Sequence, residues 1–177
     1  PCNAVLSNPA TLTVLAKPPI ITKAANVSGC QGNISVPIIV ENFDSVASIS
    51  LTLEMDAQVL SFIGHQNPHP ELSSGILLTN SPTPGRVVIG WYSAFDPAII
   101  PDNDTLLELV FDLTGNYSDI SFDTINPGRC EYENLQGNVL ADTYVFGSVT
   151  ALPSPTAFNV IGGGEYCTGS GGAAIGL

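Results

Sequence analysis

The chain reads as an all-β protein, an antiparallel β-sandwich, and three features of the sequence predict it. Apolar residues recur at every second position in several runs, helical periodicity is almost absent, and turn residues punctuate the runs. The chain carries 17 glycines and 14 prolines in 177 residues, nearly all of them between the alternating segments. Strands with no helix between them must bury one face against a second sheet, which is the sandwich arrangement. A hydrophobic fraction of 44% is enough to fill that interior and argues against intrinsic disorder.

The elements follow in order. Ile34, Val36, Ile38 and Val40 alternate with Ser35, Pro37 and Ile39. Ile49, Leu51, Leu53 and Met55 alternate with Ser50, Thr52 and Glu54, the pattern of a half-buried strand. Val87, Ile89 and Trp91 follow the turn Pro82-Thr83-Pro84-Gly85. Leu107, Leu109, Phe111 and Leu113 alternate with Glu108, Val110 and Asp112, and the run stops at Gly115-Asn116. Ile120 and Phe122 mark a short strand, and Tyr144 to Val149 another. Three segments separate. Residues 1–19 hold a terminal strand ending in Thr11-Leu12-Thr13-Val14-Leu15 and a Pro18-Pro19 linker; residues 20–152 hold the main sandwich; residues 153–177 form a glycine-rich tail. That tail carries Phe158, Val160, Ile161, Tyr166 and Ile175, so it reads as strands lacking a sheet rather than a plain linker.

Charge narrows the partners. Sixteen acidic residues against four basic ones give a net charge of −12. Nucleic acid needs a basic stripe to displace counterions, and an anionic membrane surface needs the same, so neither is an expected partner. No apolar run reaches the roughly 18 residues of a membrane span, and no signal peptide opens the chain. Strand-like sequence is already under way at Pro1 and Cys2, so the segment is expected to be internal to a longer precursor.

The four cysteines, Cys2, Cys30, Cys130 and Cys167, show no zinc-ligand spacing. Cys30 and Cys130 both lie in turn sequence at strand ends, where a disulfide could close a long loop, and the extracellular look of the chain favours one.

The middle of the chain resembles the cohesins and their relatives among bacterial carbohydrate-binding sandwiches. The stretches that carry the likeness are Ser35 to Val40, Val46 to Asp56 with Val59-Leu60, Pro84 to Trp91, Ile100 to Phe111, and Gly147-Ser148-Val149. Their order and spacing agree over roughly residues 21–150. The resemblance implies a jelly roll of about nine strands that binds a dockerin-like protein module through one sheet face. By position that face comprises Ser48, Ser50, Thr52 and Glu54 on one strand and Arg86, Val88, Gly90 and Tyr92 on the other. Small polar residues there suit a flat docking surface, and an ordinary solvated sheet face would look the same. Residues 1–15 resemble the last strand of a bacterial immunoglobulin-like repeat, and residues 156–177 the first strands of another. Cys2 and Cys167 would then belong to incomplete domains cut at their boundaries. Alternatively the tail of one copy completes the head of the next, with a Cys2–Cys167 bridge between subunits of a filament.

No catalytic residues stand out. Asp44, Glu54, Asp56, Glu71, Asp96, Asp102, Asp104 and Glu108 could supply a glycosidase pair, but they read as solvated turn and strand positions. His65 and His69 sit in a proline-rich loop without a further ligand nearby. Calcium is the one cation with a candidate site, Asp102 and Asp104 flanking Asn103, although an ordinary Asp/Asn turn has the same composition. The single tryptophan, Trp91, is in phase with the core positions, and Tyr92 points the other way. Four sequons, at Asn26, Asn33, Asn103 and Asn116, would accept glycans in a eukaryotic secretory pathway. The expected function is a non-catalytic, extracellular structural or adhesive module, needing no cofactor, that binds protein partners or its own neighbours. The alternative is a polysaccharide-binding accessory module, which a row of exposed aromatics on one face would favour.

Overall fold

The computed structural model describes residues 17–153 and, beyond them, the backbone of 161–162 and 175–176. The expected terminal strand ending at Leu15, most of the 153–177 tail, Cys2 and Cys167 lie outside the described residues, and with them the strand-exchange idea. The strands are β1 (Ile20–Ala24), β2 (Asn26–Gly29), β3 (Gly32–Glu41), β4 (Phe43–Val46), β5 (Ser48–Met55), β6 (Leu60–Gln66) and β7 (Ile76–Thr83). There follow β8 (Arg86–Tyr92), β9 (Ala98–Ile100), β10 (Asp104–Leu113), β11 (Tyr117–Phe122), β12 (Glu131–Glu133), β13 (Asp142–Val145) and β14 (Gly147–Ala151). The short strands β15 (Ile161–Gly162) and β16 (Ile175–Gly176) pair with each other. A 3-10 turn at Pro70–Ser74 is the one helical element among the described residues.

Two sheets face each other. One runs β13-β1-β3-β10-β6; the other runs β2-β14-β11-β5-β8-β7, with β12 also paired to β5. The inward side chains of both make one core, in which Val36, Ile38, Leu51, Leu53, Val87, Ile89, Leu109 and Phe111 are fully buried. Trp91 is buried as its phase predicts, and its indole N–H donates to the Leu72 carbonyl at 2.8 Å. A polar bridge crosses the core where Thr22 of β1 meets the Tyr132 hydroxyl of β12 at 2.5 Å. Burial pushes the Tyr132 phenol well above its ordinary range, so it stays neutral as a partner to Thr22. Several strands are split, the predicted one at Tyr144 to Val149 among them. The first changes sheet at Ala25, the last changes sheet at Phe146, and β11 and β12 are one line along β5 interrupted by a loop. Joining these halves and setting aside the short β4–β9 and β15–β16 ladders leaves the nine strands expected.

The sheets are mixed rather than purely antiparallel. β1 pairs with β13, and β2 with β14, in parallel, because the first and last strands run side by side through both sheets. Their crossing is close: a Cβ on Gly147 would lie 2.5 Å from the Ala24 carbonyl oxygen, so no larger residue fits. Pro37 is tolerated within a central strand because β1 turns away there, leaving Ala25 to donate to the Pro37 carbonyl at 3.0 Å.

The expected Cys30–Cys130 bridge does not exist; both thiols are free. Cys30 follows β2 at the level where Ala151 bonds to Asn116. Cys130 lies on the β11–β12 line at the level where Asp123 bonds to Thr52. Asn116 and Asp123 are about 23 Å apart along an extended strand, far beyond the Cα separation of roughly 7 Å that a disulfide spans. Cys130 instead plugs the break between β11 and β12. Its Sγ accepts from the Thr52 amide at 3.5 Å and donates to the Thr52 carbonyl at 3.4 Å. Desolvation raises its thiol to about 11.

Candidate protein-binding face

Side chains alternate across a strand, so one registration fixes which residues share the outward face of the β7-β8-β5 sheet. Two rows are complete. Ile76, Tyr92, Ser48 and Glu133 stand abreast on β7, β8, β5 and β12, and Leu78, Gly90, Ser50 and Glu131 form the next row. A third row has Asn80, Val88 and Thr52, and a fourth has Arg86, Glu54 and Ser121. All the residues expected on this face are therefore on its outward side, with one of them inaccessible.

That residue is Thr52, only 1% exposed. The loop joining β11 to β12, residues 123–130, folds over it. The Ser50 hydroxyl donates to the Gly128 carbonyl at 3.1 Å, which ties the loop to the outer side of β5. Inside the loop the Asp123 carboxylate accepts from the Asn126 side chain at 2.9 Å and from its amide at 3.3 Å. These bonds, chiefly the side-chain one, hold the Asp123 carboxyl below its usual value, with Arg86 adding a smaller attraction. Ile125 stands at the loop with 90% of its surface exposed. The face is thus a shelf with a raised margin rather than a flat sheet.

The shelf is apolar at its open edge. Ile76 is 69% exposed, Leu78 67% and Tyr92 58%. Sequence reasoning missed β7, because Ile76-Leu77-Leu78 breaks the period of two and follows a proline-rich loop. Its edge position explains the pattern: Leu77 leans inward beside the core while Ile76 and Leu78 face out. Across the shelf the chemistry changes to the hydroxyls of Ser48 and Ser50, then to the carboxylates of Glu131 and Glu133. At the lower end Arg86 pairs with Glu54 at 2.6 Å, a bond that raises the guanidinium further above its ordinary value. Tyr92 and Tyr117 lie at opposite ends of the sheet, so no row of aromatic rings forms here.

The other expected sites stay apart. The Asp102 carboxylate accepts from the Asn42 amide at 2.7 Å, and Asp104 lies 3.8 Å from His69. His65 meets the Thr79 hydroxyl at 2.7 Å, and His69 caps the 3-10 turn through Glu71 N–H. Asp44 pairs with Lys17 at 3.1 Å, and Glu108 accepts from Gln66 at 2.8 Å. No group of three or more His, Cys, Asp or Glu side chains converges among the described residues. The four sequon asparagines are exposed. No helix of the described residues is long and apolar enough to cross a membrane.

The fold is a cohesin-like β-sandwich. Among solved structures the chain is similar to a non-cellulosomal cohesin from the archaeon Archaeoglobus fulgidus, at 17% identity and a TM-score of 0.63, over 77% of this chain and 93% of that one. It is similar to the type I cohesin-dockerin complex Coh-OlpC-Doc435 from Clostridium thermocellum, at 15% identity and a TM-score of 0.63, over 80% of this chain and 100% of that one. It is also similar to the sixth cohesin of Acetivibrio cellulolyticus scaffoldin B, solved with a Cel5 dockerin, at 14% identity and a TM-score of 0.62, over 76% and 100%. No protein-family model matches the sequence, and no curated protein matches it.

Proposed function

We propose that the chain is a non-catalytic, exported protein-recognition module that docks a dockerin-like partner on the outward face of β7, β8 and β5. The observation that carries this reading is the exposed strip of Ile76, Leu78 and Tyr92, set on a rigid sheet and bordered by polar groups. An exposed apolar strip with hydroxyls and carboxylates on its inner side offers both the apolar contact and the polar groups that protein interfaces combine. Large exposed side chains in such a patch cost solubility unless something covers them. Support for the partner type comes from the fold, which several cohesins solved with dockerins share. The acidic, lysine-poor composition suits an extracellular setting and a partner with basic groups. Nothing on the shelf favours the polysaccharide reading, which asks for rings aligned to stack on sugars.

The test is titration calorimetry of the full chain against a panel of dockerin modules, including those of the Clostridium thermocellum and Acetivibrio cellulolyticus complexes. At least one is expected to bind at micromolar affinity or better, and to lose binding to the Leu78→Asp variant. Silence across the panel, or binding that ignores Leu78→Asp, would sink the proposal.

A further inference from the structure

Glycine in the middle of a central strand weakens it, having no side chain to pack and more freedom to lose. The fold demands glycine at several positions here. Gly85 turns β7 into β8 with φ +78°, and a Cβ on Gly75 would lie 2.4 Å from the Tyr92 carbonyl oxygen. Gly90 is different. It lies within β8, between β5 and β7, with no left-handed backbone, and a Cβ built on it meets nothing within 4 Å. A Cβ is accommodated there without contact, so the fold itself does not demand glycine. The outward side of Gly90 is flanked by Ser50 and Leu78 in its row and by Tyr92 and Val88 along its strand, leaving a bare notch in the shelf.

Resting on the docking role proposed above, we infer that Gly90 is the seat of the interface, where the partner's backbone or a protruding apolar side chain presses onto the sheet, and that the partner carries lysine or arginine about 10–14 Å to one side. The spacing follows from the rows. Glu131 and Glu133 lie two strands from Gly90 and Tyr92, and three from Leu78 and Ile76, at about 4.8 Å per strand. Neither carboxylate has an ion-pair partner among the described residues, whereas Glu54 already holds Arg86. Arg129, exposed on loop 123–130, is the other cation on this side and makes no ion pair among the described residues. With a chain charge of −12, a second copy is a poor occupant and a basic partner a good one.

The test uses Gly90→Val in the full chain, with two measurements. One is the melting temperature. The other is affinity for two-helix miniproteins selected from a displayed library against the unaltered chain. Valine suits a strand and its Cβ meets open space, so the melting temperature is expected to hold or rise while the selected binders weaken at least tenfold. The double change Glu131→Lys and Glu133→Lys is expected to weaken them at least fivefold and to remove most of their salt dependence. A lower melting temperature for Gly90→Val would show that the glycine serves the fold, and unchanged affinity that nothing sits on it; either overturns the inference. If every dockerin fails yet the miniproteins are lost on Gly90→Val, the partner type proposed above falls and the seat stands.

Discussion

The two outer faces of the sandwich are built from the same kind of strand and treat their side chains in opposite ways. On the β1-β3-β10-β6 face, the central polar groups bond to one another. Lys23 bonds Glu41 across neighbouring strands, and Gln66 donates to both Ser35 at 2.9 Å and Glu108 at 2.8 Å. Of the apolar residues there, Ile21, Ile39 and Val110 are half-buried, and the exposed ones, Ile63 and Val145, lie singly on the two edge strands β6 and β13. On the β7-β8-β5 face, Ile76, Leu78 and Tyr92 stand clear, and Glu131 and Glu133 have no cation among the described residues. A face that satisfies itself has little to offer a partner. A face left unsatisfied on a rigid frame is where binding free energy is available.

The largest expected effect ignores the difference. Leu109→Ala on β10 empties a fully buried position beneath both faces and should cost about 2–5 kcal/mol in urea unfolding. The next effect separates the faces. Leu78→Asp should weaken partner binding by about 2 kcal/mol or more, while stability moves within about 0.5 kcal/mol. Glu41→Gln, on the opposite face, should leave binding untouched and lower stability by about 0.2–1 kcal/mol. Should Glu41→Gln weaken binding as much as Leu78→Asp, the contrast between the faces would be wrong.

Acid should act on the two sides with opposite signs. Asp123, beside the docking shelf, has its carboxyl held below the usual 3.8, so its contribution is present above that value and is lost as pH falls through the lower folded one. Asp142, at the edge of the other sheet, is raised by burial, so its ionised form works against folding at neutral pH. Asp142→Asn should therefore raise the melting temperature at pH 7 and do nothing once both carboxyls are protonated. Asp123→Asn should flatten the acid limb. Equal pH profiles for the two variants would contradict the assigned causes. The smallest effect expected is none: Cys30→Ser should not change the melting temperature under oxidising conditions, since no bridge is lost. At pH 8, with its thiol raised to about 11, only about one Cys130 in a thousand is a thiolate, so thiol reagents should label it slowly.

Much of the frame was legible because alternation reports burial directly. The inward sets of β3, β5, β8 and β10 are the apolar positions of period two, and Trp91 and Tyr92 separated as their phase required. The outward residues of β5 and β8 followed from the same phase. What was hidden depends on neighbours in space. β7 escaped because an edge strand with an exposed apolar side does not alternate. The burial of Thr52 depends on where loop 123–130 folds, which the local pattern does not encode. The cysteine pairing failed because turn composition says where a chain bends but not which bends meet. The open space at Gly90 depends on how β5, β7 and β8 are brought side by side, which no single strand encodes.

The side-by-side run of first and last strands has a mechanical consequence. Ile20 pairs with Asp142 at one end of the sandwich, and Gly29 pairs with Ala151 at the other. Chain arriving at β1 and chain leaving β14 therefore depart from opposite poles. Tension through the flanking sequence would slide the two strands lengthwise past each other, loading the rungs of both ladders together instead of peeling them off one at a time.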